Sequence, residues 1–171
     1  ELEVIWEPYG KATVGGFQTL KQTNLFERPH GKLKLLKSII LDEINAYYLK
    51  YESQPCAFIQ RWPSEKHLRA WYVSLQKQGF QKPHIHPDGW LSGVIYLKVV
   101  DPLEKDEGAI EFSLNGQNYS DKNTPSLLHQ PNAGDIILFP SSLHHRTLPF
   151  TSDTDRMIVS FDLKPGSFGR P

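Results

Sequence analysis

An excess of charge of either sign is the first thing this chain lacks. Its 171 residues carry 19 basic and 19 acidic side chains, a formal net charge of zero. A broad electrostatic pull toward nucleic acid or an anionic membrane is therefore not expected. No apolar run approaches the ~20 residues that span a bilayer, and no signal-peptide pattern stands at the start. Cysteine is nearly absent. Cys56 alone excludes an internal disulfide and fits a reducing, cytoplasmic setting. It follows Pro55 and precedes A-F-I, so a small buried residue is expected there rather than a nucleophile. Internal repeats and low-complexity tracts are also missing. What remains is an ordinary globular composition, 39% hydrophobic and 22% charged. That length suits one domain over residues 1–171, with a core of real size.

The pattern along the chain is mainly β. The opening, E-L-E-V-I-W-E-P-Y, alternates weakly as a strand, and Gly15-Gly16 then allows a bend. One helix is expected over 32–50, where Leu33, Leu36, Ile40, Ile44, Tyr47 and Tyr48 recur at three- and four-residue spacing. Strands are expected at A-W-Y-V-S-L from Ala70, L-S-G-V-I-Y-L-K-V-V from Leu91 and A-I-E-F-S-L from Ala109. Two more follow, D-I-I-L-F from Asp135 and R-M-I-V-S-F-D-L from Arg156. Turn clusters such as P-D-G, N-G-Q-N and P-N-A-G-D separate them. Many short strands in one domain point to a sandwich, barrel or jelly roll. The polar stretch 115–134 reads as a long loop, where Asn115, Gln117, Asn118, Tyr119 and His129 are candidates for substrate selection.

Histidine is the informative residue type. His30 and His67 sit in polar surroundings and read as surface groups. His84 and His86 stand two apart, before Pro87-Asp88-Gly89, so on a strand they would share a face. His144 and His145 follow F-P-S-S-L, and Arg156 opens the last apolar strand. Two ligands from one strand and a third from a distant one can cap one face of a metal and leave positions open, the logic of non-haem Fe(II) oxygenases. An arginine beside them offers a permanently charged fork for a carboxylate. The alternatives are a hydrogen-bonded histidine pair beside a turn, and a surface arginine paired with Asp153 or Asp155.

Four motifs in order make the pattern specific: H-I-H-P from His84, L-S-G-V-I-Y-L from Leu91, F-P-S-S-L-H-H from Phe139 and R-M-I-V-S-F from Arg156. With them the chain resembles a 2-oxoglutarate/Fe(II)-dependent oxygenase family of double-stranded β-helix, or jelly-roll, proteins. G-A-I-E-F from Gly108 resembles that family's short middle strand. The likeness covers about 68–163 and makes 1–67 a helical and strand lead-in with one or two flanking helices. In some relatives the domain follows helical repeats, and a start at Glu1 fits an upstream helical-repeat region outside this chain.

The resemblance implies a role for each matching residue. His84 and His145 match the first and distal metal ligands, and His86 stands where the wider superfamily has Asp or Glu. Arg156 matches the arginine that takes the remote carboxylate of 2-oxoglutarate, Tyr96 a tyrosine that assists there, and Ser74 a residue that could line the same pocket. His144 is one residue out of register. A rival register uses His86, Asp88 and His145, although Asp88 also suits the turn it stands in. Trp90, beside the ligand turn, is a better pocket-wall candidate than Trp71. The implied activity is an Fe(II)- and 2-oxoglutarate-dependent dioxygenase that hydroxylates an amino acid, peptide or small metabolite with O2. Two other readings stay open. One is a three-histidine cupin-like enzyme without 2-oxoglutarate; the other is a non-catalytic jelly-roll binding module. An Arg156 that faces solvent would favour the first, and a pocket plugged by side chains or an absence of iron affinity the second.

Overall fold

A computed structural model describes residues 2–116 and 123–166. Gln117, Asn118 and Tyr119, named above as selectivity candidates, lie outside the described residues. Among the described residues nine strands form one curled antiparallel sheet, the double-stranded β-helix that the strand pattern and the resemblance lead one to expect. The strands are β1 (Val4–Trp6), β2 (Thr13–Thr19), β3 (His67–His84), β4 (Leu91–Lys98), β5 (Ile110–Ser113), β6 (Ser126–His129), β7 (Ile136–Pro140), β8 (His144–Thr147) and β9 (Arg156–Lys164). Helix α1 (Gly31–Tyr51) and the single turn α2 (Ala57–Gln60) precede β3. The main path runs β6-β5-β8-β3-β9-β4-β7, with β1 and β2 added beside β3.

Alternation along β9 explains the layers. Val159, Phe161 and Leu163 face α1, where Ile40 and Ile44 are fully buried against them together with Leu91, Ile95 and Ala70. Removing each of these isoleucines from water stabilises the fold by roughly 1.5–3 kcal/mol. Their spacing is the four-residue repeat read from the sequence. The intervening residues Arg156, Ile158, Ser160 and Asp162 face the inside of the curl. There Val73, Leu75, Val94, Tyr96, Phe112 and Phe139 form a second cluster. The inner face of β9 is thus largely polar although all four side chains are under a tenth exposed, Arg156 only 1%. Buried polar groups on a strand that could hold apolar ones usually serve chemistry.

Several local expectations are corrected. Gly15-Gly16 lies inside β2 rather than at a bend between elements; the register against β3 shifts between Val14 and Gly16. Gly15 has φ +64, and a Cβ there would come within 2.8 Å of Gly79 Cα. Only glycine fits such a bulge against a crossing backbone. Part of the 115–134 stretch is the strand β6, paired with β5. Its four exposed residues carry little periodic signal. Cys56 is exposed at the start of α2, not buried, because the segment ahead of α2 runs over the surface.

Candidate active site

The long strand β3 builds the site. Its first half pairs with β9, from His67 opposite Lys164 to Leu75 opposite Arg156. Its last residues turn to β8, where His84 stands opposite His145. His86 is past the end of β3, its amide bonded to the Ser141 carbonyl, so a loop rather than strand alternation aims it. The rings converge nonetheless. His84 and His145 have centroids 4.3 Å apart, and His86 and His145 5.0 Å. One ligand atom from each of the three lies within 4.8 Å of the other two.

The hydrogen bonds decide which atoms face one another. His84 Nδ1 donates to the Lys82 carbonyl at 2.7 Å, and His145 Nδ1 to the Leu143 carbonyl at 3.1 Å. His86 Nδ1 donates to Asp162 Oδ1 at 2.6 Å. Each ring keeps its proton on the outer nitrogen, so three Nε2 lone pairs point inward. His84 and His86 Nε2 are 3.3 Å apart. Lone pairs so placed repel unless a cation stands between them, and outer-nitrogen bonds of this kind accompany metal-ligating histidines. Burial, helped by the neighbouring His86, lowers the His84 pKa to about 4. Burial, helped by His84 and His86, lowers that of His145 to about 2. Both are neutral and ready to ligate at ordinary pH. The donor set fits a divalent transition metal held on one face.

Asp162 belongs to this arrangement, and sequence reasoning missed it. It is 6% exposed, and its Oδ1 also accepts a 2.7 Å bond from Ser92 Oγ, which lies 2.7 Å from Ser141 Oγ. A signal was present. Asp162 has the parity of Arg156 on the same strand, so one face holds both.

Arg156 lies in the same cavity, which has a volume of about 340 Å³. Its guanidinium is fully buried, with Cζ 4.9 Å from the Tyr96 ring centroid. Among the described residues, Arg156 Nε and Nη1 and the Tyr96 hydroxyl have no partner in good hydrogen-bond geometry, although the two groups are near enough to shift each other. Burial lowers the arginine pKa and raises that of the tyrosine, each partly offset by the other group. A guanidinium remains charged even so. An unpaired buried cation is costly and calls for an anionic partner. The donors present fit the remote carboxylate of 2-oxoglutarate.

The other expected residues fall elsewhere. Ser74 is buried but alternates with Val73 and Leu75 onto the opposite face from the cavity, in register with Met157. His144 pairs with Ser113 and packs its ring against Gly116. Trp90 stacks on Phe58 and donates Nε1–H to the Phe58 carbonyl, so it is packing. Trp71 lines the cavity instead, its ring 5.3 Å from that of His86. His129 is exposed, 3.7 Å from Asp135, and Asp153 pairs with Lys77 rather than Arg156.

Asp88 is exposed in the turn closed by the Gly89 amide on the His86 carbonyl, with its carboxylate 3.8 Å from Lys164 Nζ. It is outside the cluster of three histidines. Asp88→Ala is therefore expected to change Fe(II) affinity by less than about threefold, since an exposed ion pair contributes under ~1 kcal/mol. Anaerobic Fe(II) titration of the variant checks this, and a large loss would bring back the His86, Asp88 and His145 set.

Residues 69–162 match a family model described as "Putative 2OG-Fe(II) oxygenase". The chain belongs to the 2-oxoglutarate/Fe(II)-dependent oxygenases. It is an enzyme, and Fe(II) and 2-oxoglutarate are its cofactor and co-substrate. Solved structures share the oxygenase fold at low identity. A Pseudomonas putida prolyl-4-hydroxylase superposes with a TM-score of 0.63 and 12% identity over 96% of this chain and 79% of its own. A Trichoplax adhaerens prolyl hydroxylase, solved with a peptide fragment of the hypoxia inducible factor oxygen degradation domain, gives 0.60 and 15%, over 88% of this chain and 63% of its own. HygX from Streptomyces hygroscopicus, solved with nickel, 2-oxoglutarate and hygromycin B, gives 0.59 and 10%, over 98% and 75%. No curated relative matches. Among the described residues of this oxygenase no helix is long and apolar enough to cross a membrane.

Proposed function

We propose that this oxygenase is a hydroxylase in which His84, His86 and His145 hold Fe(II), while Arg156 and Tyr96 hold the remote carboxylate of 2-oxoglutarate. We take residues 1–171 as one oxygenase domain, a lead-in over 1–67 and a jelly-roll core over 68–163. One observation carries the assignment. A single cavity has three convergent Nε2 lone pairs at one place and, at another, a buried guanidinium whose Nε and Nη1 are unsatisfied among the described residues. A three-histidine enzyme without 2-oxoglutarate would have no use for that guanidinium.

Held by His84, His86 and His145, Fe(II) would supply the oxidative chemistry by which 2-oxoglutarate gives CO2 and succinate, one O2 atom going to succinate and the other into a substrate C–H bond. The chain's part is to bind, orient and exclude. Arg156 and the Tyr96 hydroxyl fix the far end of the co-substrate, so its oxo acid end has one direction in which to reach the histidines. Phe112, Phe139 and Trp71 wall the centre and keep bulk water from it. Asp162 sets the proton and the angle of the His86 ring. It also places one negative charge a single hydrogen bond behind the ligand that stands where a carboxylate usually does. Asp162→Asn keeps the shape and the bond to Ser92 but removes that charge. Fe(II) affinity is then expected to fall about 10- to 100-fold with the circular dichroism unchanged. Equal affinity would make Asp162 a packing residue only.

The substrate is a small molecule or a peptide side chain. The cavity lies at the small end of ligand sites, and the neighbours above were solved with a peptide fragment and with hygromycin B. The deciding experiment is an anaerobic titration of apo protein with Fe(II) and then 2-oxoglutarate, followed by visible absorption. A weak charge-transfer band that needs both supports the assignment. Iron binding without a band points to the three-histidine alternative, and no iron binding to a binding module.

A further inference from the structure

The cavity that holds the histidines and Arg156 has further cations on its outer side. Lys11, Lys21 and Arg69 all line it. Exposure falls inward, from exposed Lys21 through half-buried Lys11 and Arg69 to Arg156 at 1%. These three residues therefore mark the mouth. Arg69 Nη2 donates to the Lys21 carbonyl, which ties the two segments together. The ammonium groups of Lys11 and Lys21 have no hydrogen-bond or ion-pair partner among the described residues. None of the ion pairs there involves Arg69. Lys11 has its pKa lowered by burial and by the nearness of Arg69 and Lys21, an effect that Asp162 and Asp88 offset only in part.

The charge balance of the loaded site sharpens the point. The two charges of Fe(II) and the two of 2-oxoglutarate cancel. Asp88 lies beside Lys164. Asp162, the remaining carboxylate that lines the cavity, stands opposite Arg69 in the β3–β9 ladder and is already bonded to His86 and Ser92. Lys11, Lys21 and Arg69 therefore still outnumber it at the mouth, in a protein of zero net charge. Distance agrees. Arg69 and Trp71 are i, i+2 on β3, so their side chains share a face about 7 Å apart. Trp71 packs on His86. An anion at Arg69 thus sits roughly one small molecule away from the histidines, with an aromatic wall between.

We propose that the primary substrate is an amino-acid-sized molecule bearing a carboxylate or phosphate, held by Lys11, Lys21 and Arg69 while its carbon chain passes Trp71 toward the three histidines. This rests on the assignment above. It adds a second anion site, distinct from that of 2-oxoglutarate, and makes uncharged molecules poor substrates.

The test uses inorganic sulfate as the probe, titrated calorimetrically into the anaerobic protein already loaded with Fe(II) and 2-oxoglutarate. Ionic strength is held constant with sodium chloride. Sulfate should bind the wild type. Lys11→Ala and Arg69→Gln should each weaken it at least about tenfold, as loss of one charge-assisted contact does, and Lys34→Ala on the exposed face of α1 should not. No sulfate binding to the loaded wild type, or equal binding in both mouth variants, overturns the proposal. If the charge-transfer band forms and sulfate fails, only the anionic substrate falls. If no band forms, the oxygenase assignment has failed first and takes this one with it. Competition then separates the sources. Displacement mainly by acetate assigns a carboxylate, mainly by methyl phosphate a phosphate ester, and by neither overturns the site.

Discussion

His145→Ala is expected to lose Fe(II) binding, and His144→Ala, one residue away, to keep it. The two imidazoles leave β8 on opposite faces. His145 is 7% exposed, opposite His84 across the β3–β8 ladder, with its outer nitrogen bonded to the Leu143 carbonyl. His144 packs on Gly116 instead, where a Cβ would come within 2.3 Å of its Nε2. Removing one of three protein ligands should exceed the about 100-fold loss that an outer-shell change can bring. Anaerobic Fe(II) titration of both variants measures it directly. The reverse result, binding lost in His144→Ala and kept in His145→Ala, would mean that β8 is one residue out of register.

Arg156→Met is expected to weaken 2-oxoglutarate by at least about 30-fold, the equivalent of ~2 kcal/mol, and Fe(II) far less. Among the described residues the guanidinium is the one cation deep in the cavity, with Nε and Nη1 unsatisfied. A carboxylate arriving there gains a charge-assisted pair in a dry site. The same substitution should raise the melting temperature of the ligand-free protein. Methionine fills much of the volume without burying an unpaired charge. Arg156→Lys should not restore affinity, because an ammonium on a shorter stem lacks the planar fork. Isothermal titration with 2-oxoglutarate and thermal unfolding of the apo form test both halves. Equal losses for iron and 2-oxoglutarate, or a lower melting temperature, would make Arg156 a structural residue.

What could be read along the chain was local. The repeat of Ile40 and Ile44 marked α1, and apolar runs marked β4 and β9. Histidines two apart, a histidine after F-P-S and a late arginine named groups whose chemistry requires company. Residue type alone carries that much, since imidazole ligates and guanidinium stays charged wherever they stand. The four-residue strands β6 and β8 escaped because neither buries an apolar side chain that would mark it. The choice of Trp90 over Trp71 as cavity wall failed for a related reason. Nearness in sequence to His86 says nothing about which face of β3 or which side of a turn a ring will occupy.

Convergence came from the tertiary structure. His86 meets Asp162 across 76 residues, and no periodicity within either segment encodes that contact. It depends on β3 pairing with β9 along one half and β8 along the other. The same pairings turn three imidazole lone pairs to one point and seal Arg156 beneath Tyr96. They also raise Lys11, Lys21 and Arg69 around one opening in a chain whose charges cancel overall. Composition sums charge over the whole chain, whereas a site responds to the few charges within a Debye length of it. Which residues were able to ligate, pair or pack was set by their side chains. Which of them do so together was set by strand register, because a ladder shifted by one residue would send every one of these groups to the other face.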